Sequence, residues 1–291
     1  MKRKLGGPFL LFLFAFWTAV TARASAPGDD TGLQDIEKWV ILLGYDPDAG
    51  KVTAEALEPF DLVILDPDTH PPLEWVKDDA LRVAYVSLGE AEDYRAYWKE
   101  IKNKPWIVRE NPDWKGNYYV DVRNSEWQEV ILERVIAAVV SQGFDGIFMD
   151  TLDTADYLES QPGDRYAGSR RAMIDFVKKI RERYPDLILI SNNGFPLLQE
   201  LAPFLDAVLV EDIYWQADFE KNTYKEVTPE DRDYKVGILK KVLAARELPV
   251  FNVDYAAKTE KETIQKCIRD SKKLGFKPYV AEKDLSEIYA Q

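Results

Sequence analysis

Short apolar runs, each closed by a polar residue and followed by a stretch of helical period, recur along this chain. The best defined is Phe144-Asp-Gly-Ile-Phe-Met-Asp150, entered through Gly143 and left through an aspartate. Its large apolar residues suit a strand buried on both faces, whereas an unpaired carboxylate does not belong in that interior. Asp150 is therefore expected just past the strand, at the mouth of whatever the strand helps enclose. Counting this one as 144–149, eight runs follow the same grammar, at 39–43, 60–65, 81–86, 144–149, 187–190, 207–210, 249–253 and 277–281.

Helix starts punctuate the intervals. Ser125-Glu-Trp-Gln128 and Thr259-Glu-Lys-Glu262 have the spacing of capping boxes, and Thr228-Pro229-Glu230-Asp231 places a cap, a proline and two acids at a helix start. Residues 169–184 carry Met173, Phe176, Val177 and Ile180 on one face. Eight strands alternating with helices over about 250 residues predict an α/β chain folded as a (β/α)8 TIM barrel. The other arrangement to weigh, an open doubly wound sheet, lacks the Gly-x-Gly-x-x-Gly turn that such sheets use. Tyr118-Tyr-Val-Asp-Val122 predicts an extra strand between the third and fourth, and the few residues after 281 leave only a reduced final helix.

Ahead of the barrel, Lys2-Arg3-Lys4 precedes an apolar segment from Phe9 to Val20 and the small-residue site Ala22-Arg-Ala24. This predicts a signal peptide at 1–24, since about 20 apolar residues are needed to span a bilayer. An uncleaved anchor is the alternative. Residues 25–37 then read as a polar lead-in and 38–291 as a single domain. A secreted or periplasmic protein without stable membrane insertion follows. Losing Lys2, Arg3, Lys4 and Arg23 would take the net charge from −13 to −17. That balance disfavours nucleic acid and favours a neutral or cationic ligand. The lone Cys267 permits no internal disulfide and has the spacing of a buried helix residue.

In a barrel of this kind the carboxyl ends of the strands converge on one face. Here they offer Tyr45, Asp46, Asp66, Glu90, Asp150, Asn192, Asn193, Glu211, Asp254 and Tyr255. There is no strand-end histidine or lysine, and the only histidine is His70, beside two prolines. Triads, histidine-based zinc sites and Schiff-base chemistry are thereby disfavoured. Two carboxylates suffice for glycosidic cleavage, and Asp150 with Glu211 is the best pair. Asn192 and Asn193 could bind hydroxyls, although Asn-Asn-Gly is also a turn sequence. Tyr45, Tyr85, Tyr214, Trp215 and Tyr255 could stack on sugars, with Asp46, Glu90 and Asp254 as further contacts. Asp153, Glu92 and Asp212 are expected to play supporting parts. No cofactor or metal is expected; a Mg²⁺ site on Asp150, Glu211 and Asp254 is the weaker alternative.

The segments 85–95, 143–150, 192–194, 210–214 and 279–285 together resemble glycoside hydrolase family 114, the endo-α-1,4-polygalactosaminidase-like barrels. The resemblance spans about residues 38–285. It implies hydrolysis of an α-1,4-linked amino-sugar exopolysaccharide, with Asp150 as nucleophile and Glu211 as acid/base in a retaining reaction. A carbohydrate-binding barrel that has lost turnover is the competing expectation.

Overall fold

Runs rich in Val, Ile, Leu and aromatic residues become strands here because both their faces are covered. The computed structural model describes residues 31–289. Its main sheet has eight parallel strands: Trp39–Leu42, Leu62–Leu65, Leu81–Ser87, Gly146–Asp150, Ile188–Asn192, Ala207–Glu211, Val250–Tyr255 and Lys277–Ala281. They neighbour one another in chain order, as the first to eighth staves of a nearly closed (β/α)8 TIM barrel. The seam between the first and eighth strands is bridged by side chains as well as by the Gly44 N–H, which donates to the Leu285 carbonyl at 3.0 Å. The Trp39 indole N–H donates to the Lys277 carbonyl at 3.0 Å, and the Lys277 ammonium bonds the carbonyls of Gln34 and Ile36. Inside, Trp39 packs against Phe251 and Tyr279, with centroid separations of 5.3 and 5.5 Å.

The helices follow from their caps unequally. Pro229–Ala245 starts as its sequence predicts, with the Thr228 hydroxyl accepting from the Asp231 N–H at 3.1 Å. The other two boxes do not form. Asn124 caps the helical segment beginning at Ser125, and Gln128 donates to the Val122 carbonyl. Lys261–Lys273 follows Glu260, whose carboxylate accepts from the Ala257 N–H. Cys267 is a buried free thiol on that helix. Met173, Phe176, Val177 and Ile180 are all buried on Ser169–Arg183.

Two excursions stand on the carboxyl-end face. After the third strand comes a three-stranded antiparallel sheet of Glu90–Glu92, Asn117–Val120 and Ile107–Glu110. The expected extra strand thus has two partners that the sequence pattern did not reveal. After the sixth strand, Trp215–Asp218 and Thr223–Glu226 form an antiparallel hairpin. Residues 282–289 form no helix. In the lead-in, Leu33 and Ile36 are buried against the barrel. The expected signal at 1–24 lies outside the described residues. Among the described residues, no helix is long and apolar enough to cross a membrane.

Candidate active site

Asp150 is the last residue of the fourth strand, paired beside Ser87 of the third. Thr151 leaves the strand at φ +60°, and its hydroxyl accepts from the Gly89 N–H at 2.8 Å. The approach is so close that a Cβ on Gly89 would sit 2.1 Å from the Thr151 carbonyl oxygen. These contacts fix where the carboxylate emerges. One of its oxygens accepts from the Tyr85 hydroxyl at 2.9 Å and the other from the Asn192 amide at 2.8 Å.

Glu211 ends the sixth strand. Asn193 and Gly194 take φ values of +44° and +67°, so the Asn-Asn-Gly turn is real. That turn also serves the site, because the Asn193 side chain brackets Glu211. Its Oδ1 accepts from the Glu211 N–H at 3.0 Å, and its amide donates to Oε2 at 3.3 Å. The Tyr255 hydroxyl donates to Oε1 at 2.6 Å. Burial pushes the Glu211 carboxyl above the usual range. The Asp150 charge adds to that rise, while Tyr255, Asn192 and Lys235 hold it back. Lys235, on the helix after the strand, donates to the carbonyls of both Glu211 and Asp212, each at 3.0 Å. Asp212 sits at φ +59°, and burial with the neighbouring Glu211 charge raises its carboxyl to about 8.

Tyr85, Asp150, Asn192, Asn193, Glu211 and Tyr255 are therefore brought together. Glu90 stands beside them, buried and bonded to the Asn111 amide and Thr154 hydroxyl, with its pKa raised by burial. Three expected contacts face elsewhere. Successive strand residues point to opposite sides, so Asp254 must turn outward where Tyr255 turns in. Fully buried, it accepts from the N–H groups of Tyr214 and Trp215 and from the Asn252 amide. The Tyr214 hydroxyl donates to the Asp270 carbonyl, and the Trp215 ring lies 5.6 Å from the Lys266 ammonium, both on an outer helix. Asp254, Tyr214 and Trp215 thus tie the base of the hairpin to the seventh strand and the outer helix. The same orientation separates Asp254 from the Asp150, Glu211 set considered for Mg²⁺. Asp46 caps the short turn Pro47–Ala49 through the Asp48 N–H, and Tyr45 is half-buried against the core. His70 packs on Phe144 and bonds the Pro71 carbonyl.

Sequence reading missed the buried Arg95. It joins Glu92, Asp66 and Asp68 and lies 5.8 Å from the Tyr85 ring. An arginine five residues past Glu90, facing strand-end acids, was the available signal.

A model of glycoside-hydrolase family GH114 matches residues 19–291. The chain belongs to that family. It is a glycoside hydrolase, and the barrel above is the GH114 fold. A Deinococcus radiodurans protein without assigned function is 27% identical over 92% of this chain and 88% of its own length. A Thermotoga maritima protein, likewise unassigned, is 32% identical over 70% of this chain, which spans 65% of it. Among solved structures, the glycoside hydrolase domain of PelA from Pseudomonas aeruginosa superposes with a TM-score of 0.75 at 27% identity, covering 87% of this chain and 97% of that domain. Aspergillus fumigatus Ega3, solved in complex with galactosamine, gives 0.62 at 14% identity over 92% and 97%, and shares the fold.

Proposed function

We propose that this GH114 chain cleaves α-1,4-linked galactosamine-type polysaccharide outside the cytoplasm, after removal of a signal at 1–24, by a retaining reaction. The observation that carries the reading is the Asn192 amide. It bonds Asp150 and lies close enough to Glu211 to hold down the rise in that carboxyl's pKa, so the two carboxyl groups share one small space. Their environments differ as two roles require. Asp150 accepts from two neutral donors and suits the nucleophile. Glu211 has a raised pKa and suits the acid.

In the first step an Asp150 oxygen forms a bond to the anomeric carbon as the glycosidic C–O bond breaks, and Glu211 protonates the departing oxygen. In the second, Glu211 takes a proton from water, the water oxygen attacks the same carbon, and the Asp150 ester bond breaks. Galactosamine bound to Ega3 supports the sugar class, and the net charge of −13 suits a polymer carrying free ammonium groups. The test is Asp150→Asn and Glu211→Gln assayed on partially deacetylated galactosaminan. Reducing-end release should fall by about 10³-fold or more in each, with unchanged melting. Full activity in both variants would refute the assignment.

A further inference from the structure

Two exposed rings meet between the two excursions on the carboxyl-end face. Trp114 is at the tip joining Ile107–Glu110 to Asn117–Val120, in the excursion after the third strand. Phe219 is at the tip of the hairpin after the sixth. Their centroids are 5.2 Å apart at an interplanar angle of 74°, an edge-to-face pair. Each residue nonetheless keeps more than half its surface in solvent, 53% for Trp114 and 55% for Phe219. Core packing therefore does not account for them.

Their position follows from the topology. The strands run in order round the barrel, so the third and sixth are separated by the two that carry Asp150 and Asn192. The Phe219 ring also lies 5.5 Å from the ammonium of Lys283, which follows the eighth strand. Lys283 further bonds the Asn222 side chain at the same hairpin tip. A single ring touched from the third-strand side and from the eighth-strand side bridges the carboxyl-end face. Both supports are anchored near the catalytic groups. In the first excursion Glu90 accepts from Asn111 and also from Thr154, which follows the fourth strand, and Asp254 holds the base of the hairpin.

We propose that Trp114 and Phe219 form a clasp across the catalytic groove that holds the polysaccharide in place between successive cleavages. The proposal rests on the polysaccharide reading above. The chemistry fits that ligand. The apolar C–H face of a pyranose stacks on an aromatic ring, and an amino-sugar ammonium is drawn to the ring face. A lone pair of exposed rings is a weak contact, so the clasp parts readily to admit an internal stretch of chain. It then recloses, and sugar units take up the ring surface left in solvent. Trp114 and Phe219 would thus govern how long a polymer stays bound, not the bond-breaking step.

The test uses Trp114→Ala, Phe219→Ala and Trp114→Phe, with melting as a check, because both rings are exposed and their loss should leave the fold intact. Dissociation of long, partially deacetylated galactosaminan is followed in the Asp150→Asn background, where cleavage does not interfere. Both alanine variants should release polymer about tenfold faster, and Trp114→Phe should stay near the parent. In otherwise unaltered enzyme they should raise KM for polymer with kcat unchanged, and produce a larger viscosity drop per reducing end formed. Equal dissociation rates with and without the rings would overturn the clasp. Absence of hydrolysis by the unaltered enzyme would overturn the proposed reaction while the dissociation result still decides the clasp. Failure of the polymer to bind the Asp150→Asn protein would overturn both.

Discussion

Replacing Tyr255 by Phe removes a single oxygen and isolates one influence on Glu211, the proposed acid. That hydroxyl donates to Glu211 Oε1 at 2.6 Å, a short bond that favours the charged carboxylate. Burial has already raised Glu211, and the nearby Asp150 charge raises it further. Tyr255 is the largest of the influences acting in the opposite direction. Hydrogen bonds to charged groups are worth about 1.5–3 kcal/mol. Because Glu211 is only half-buried, the lower end applies, and at about 1.4 kcal/mol per pKa unit the loss amounts to roughly one unit upward. In the proposed role of acid, Glu211 must hold its proton, so activity falls as pH rises through its pKa. The alkaline limb of kcat against pH should therefore move up by about one unit in Tyr255→Phe, while the acidic limb moves less. The assay is reducing-end release from galactosaminan across pH, with melting measured at each value. An alkaline limb that stays in place or moves down, in a protein that is still folded, would refute this account of Glu211.

Three other outcomes follow from the same geometry. Asp254→Ala leaves the N–H groups of Tyr214 and Trp215 without their acceptor, which should cost about 1–3 kcal/mol and lower the melting temperature by several degrees. Asp212 is raised to about 8 from an ordinary 3.8, so the folded state holds a proton that the unfolded chain has lost. Stability from this group is full below about pH 4 and is lost as pH rises toward 8; Asp212→Asn should therefore melt above the parent at pH 8 and equal it at pH 4. Gly89→Ala should displace Thr151, since its Cβ would lie 2.1 Å from that carbonyl, and should lower kcat on polymer well before it unfolds the barrel.

The barrel was legible because burial on both faces forces continuous apolar runs. The run 277–281 matches its strand, and the run 144–149 becomes Gly146–Asp150, with the aspartate inside the strand end rather than beyond it. The excursions were less legible for the same reason. Thr223–Glu226 is largely exposed and polar, so no alternation marks it as a strand. Within the site, Asp150 and Glu211 could be read from their place at strand ends, and their partners Tyr85, Asn192, Asn193 and Tyr255 came from the same strand-end reasoning. The outward turn of Asp254 was not legible because position along a strand end was read without its side. One residue along from Tyr255 faces the helices. Lys235 was invisible to pattern, since it reaches the Glu211 carbonyl from the following helix.

The join where the first stave meets the eighth has a consequence for the molecule as a whole. Trp39 and Lys277 help fasten it through an indole and an ammonium, on the far side of the cylinder from Asp150, Asn192 and Glu211. Breathing of the wall should therefore begin where it disturbs the sugar chemistry least. The continuous run of main-chain ladders is reserved for the arc that carries the two proposed catalytic acids.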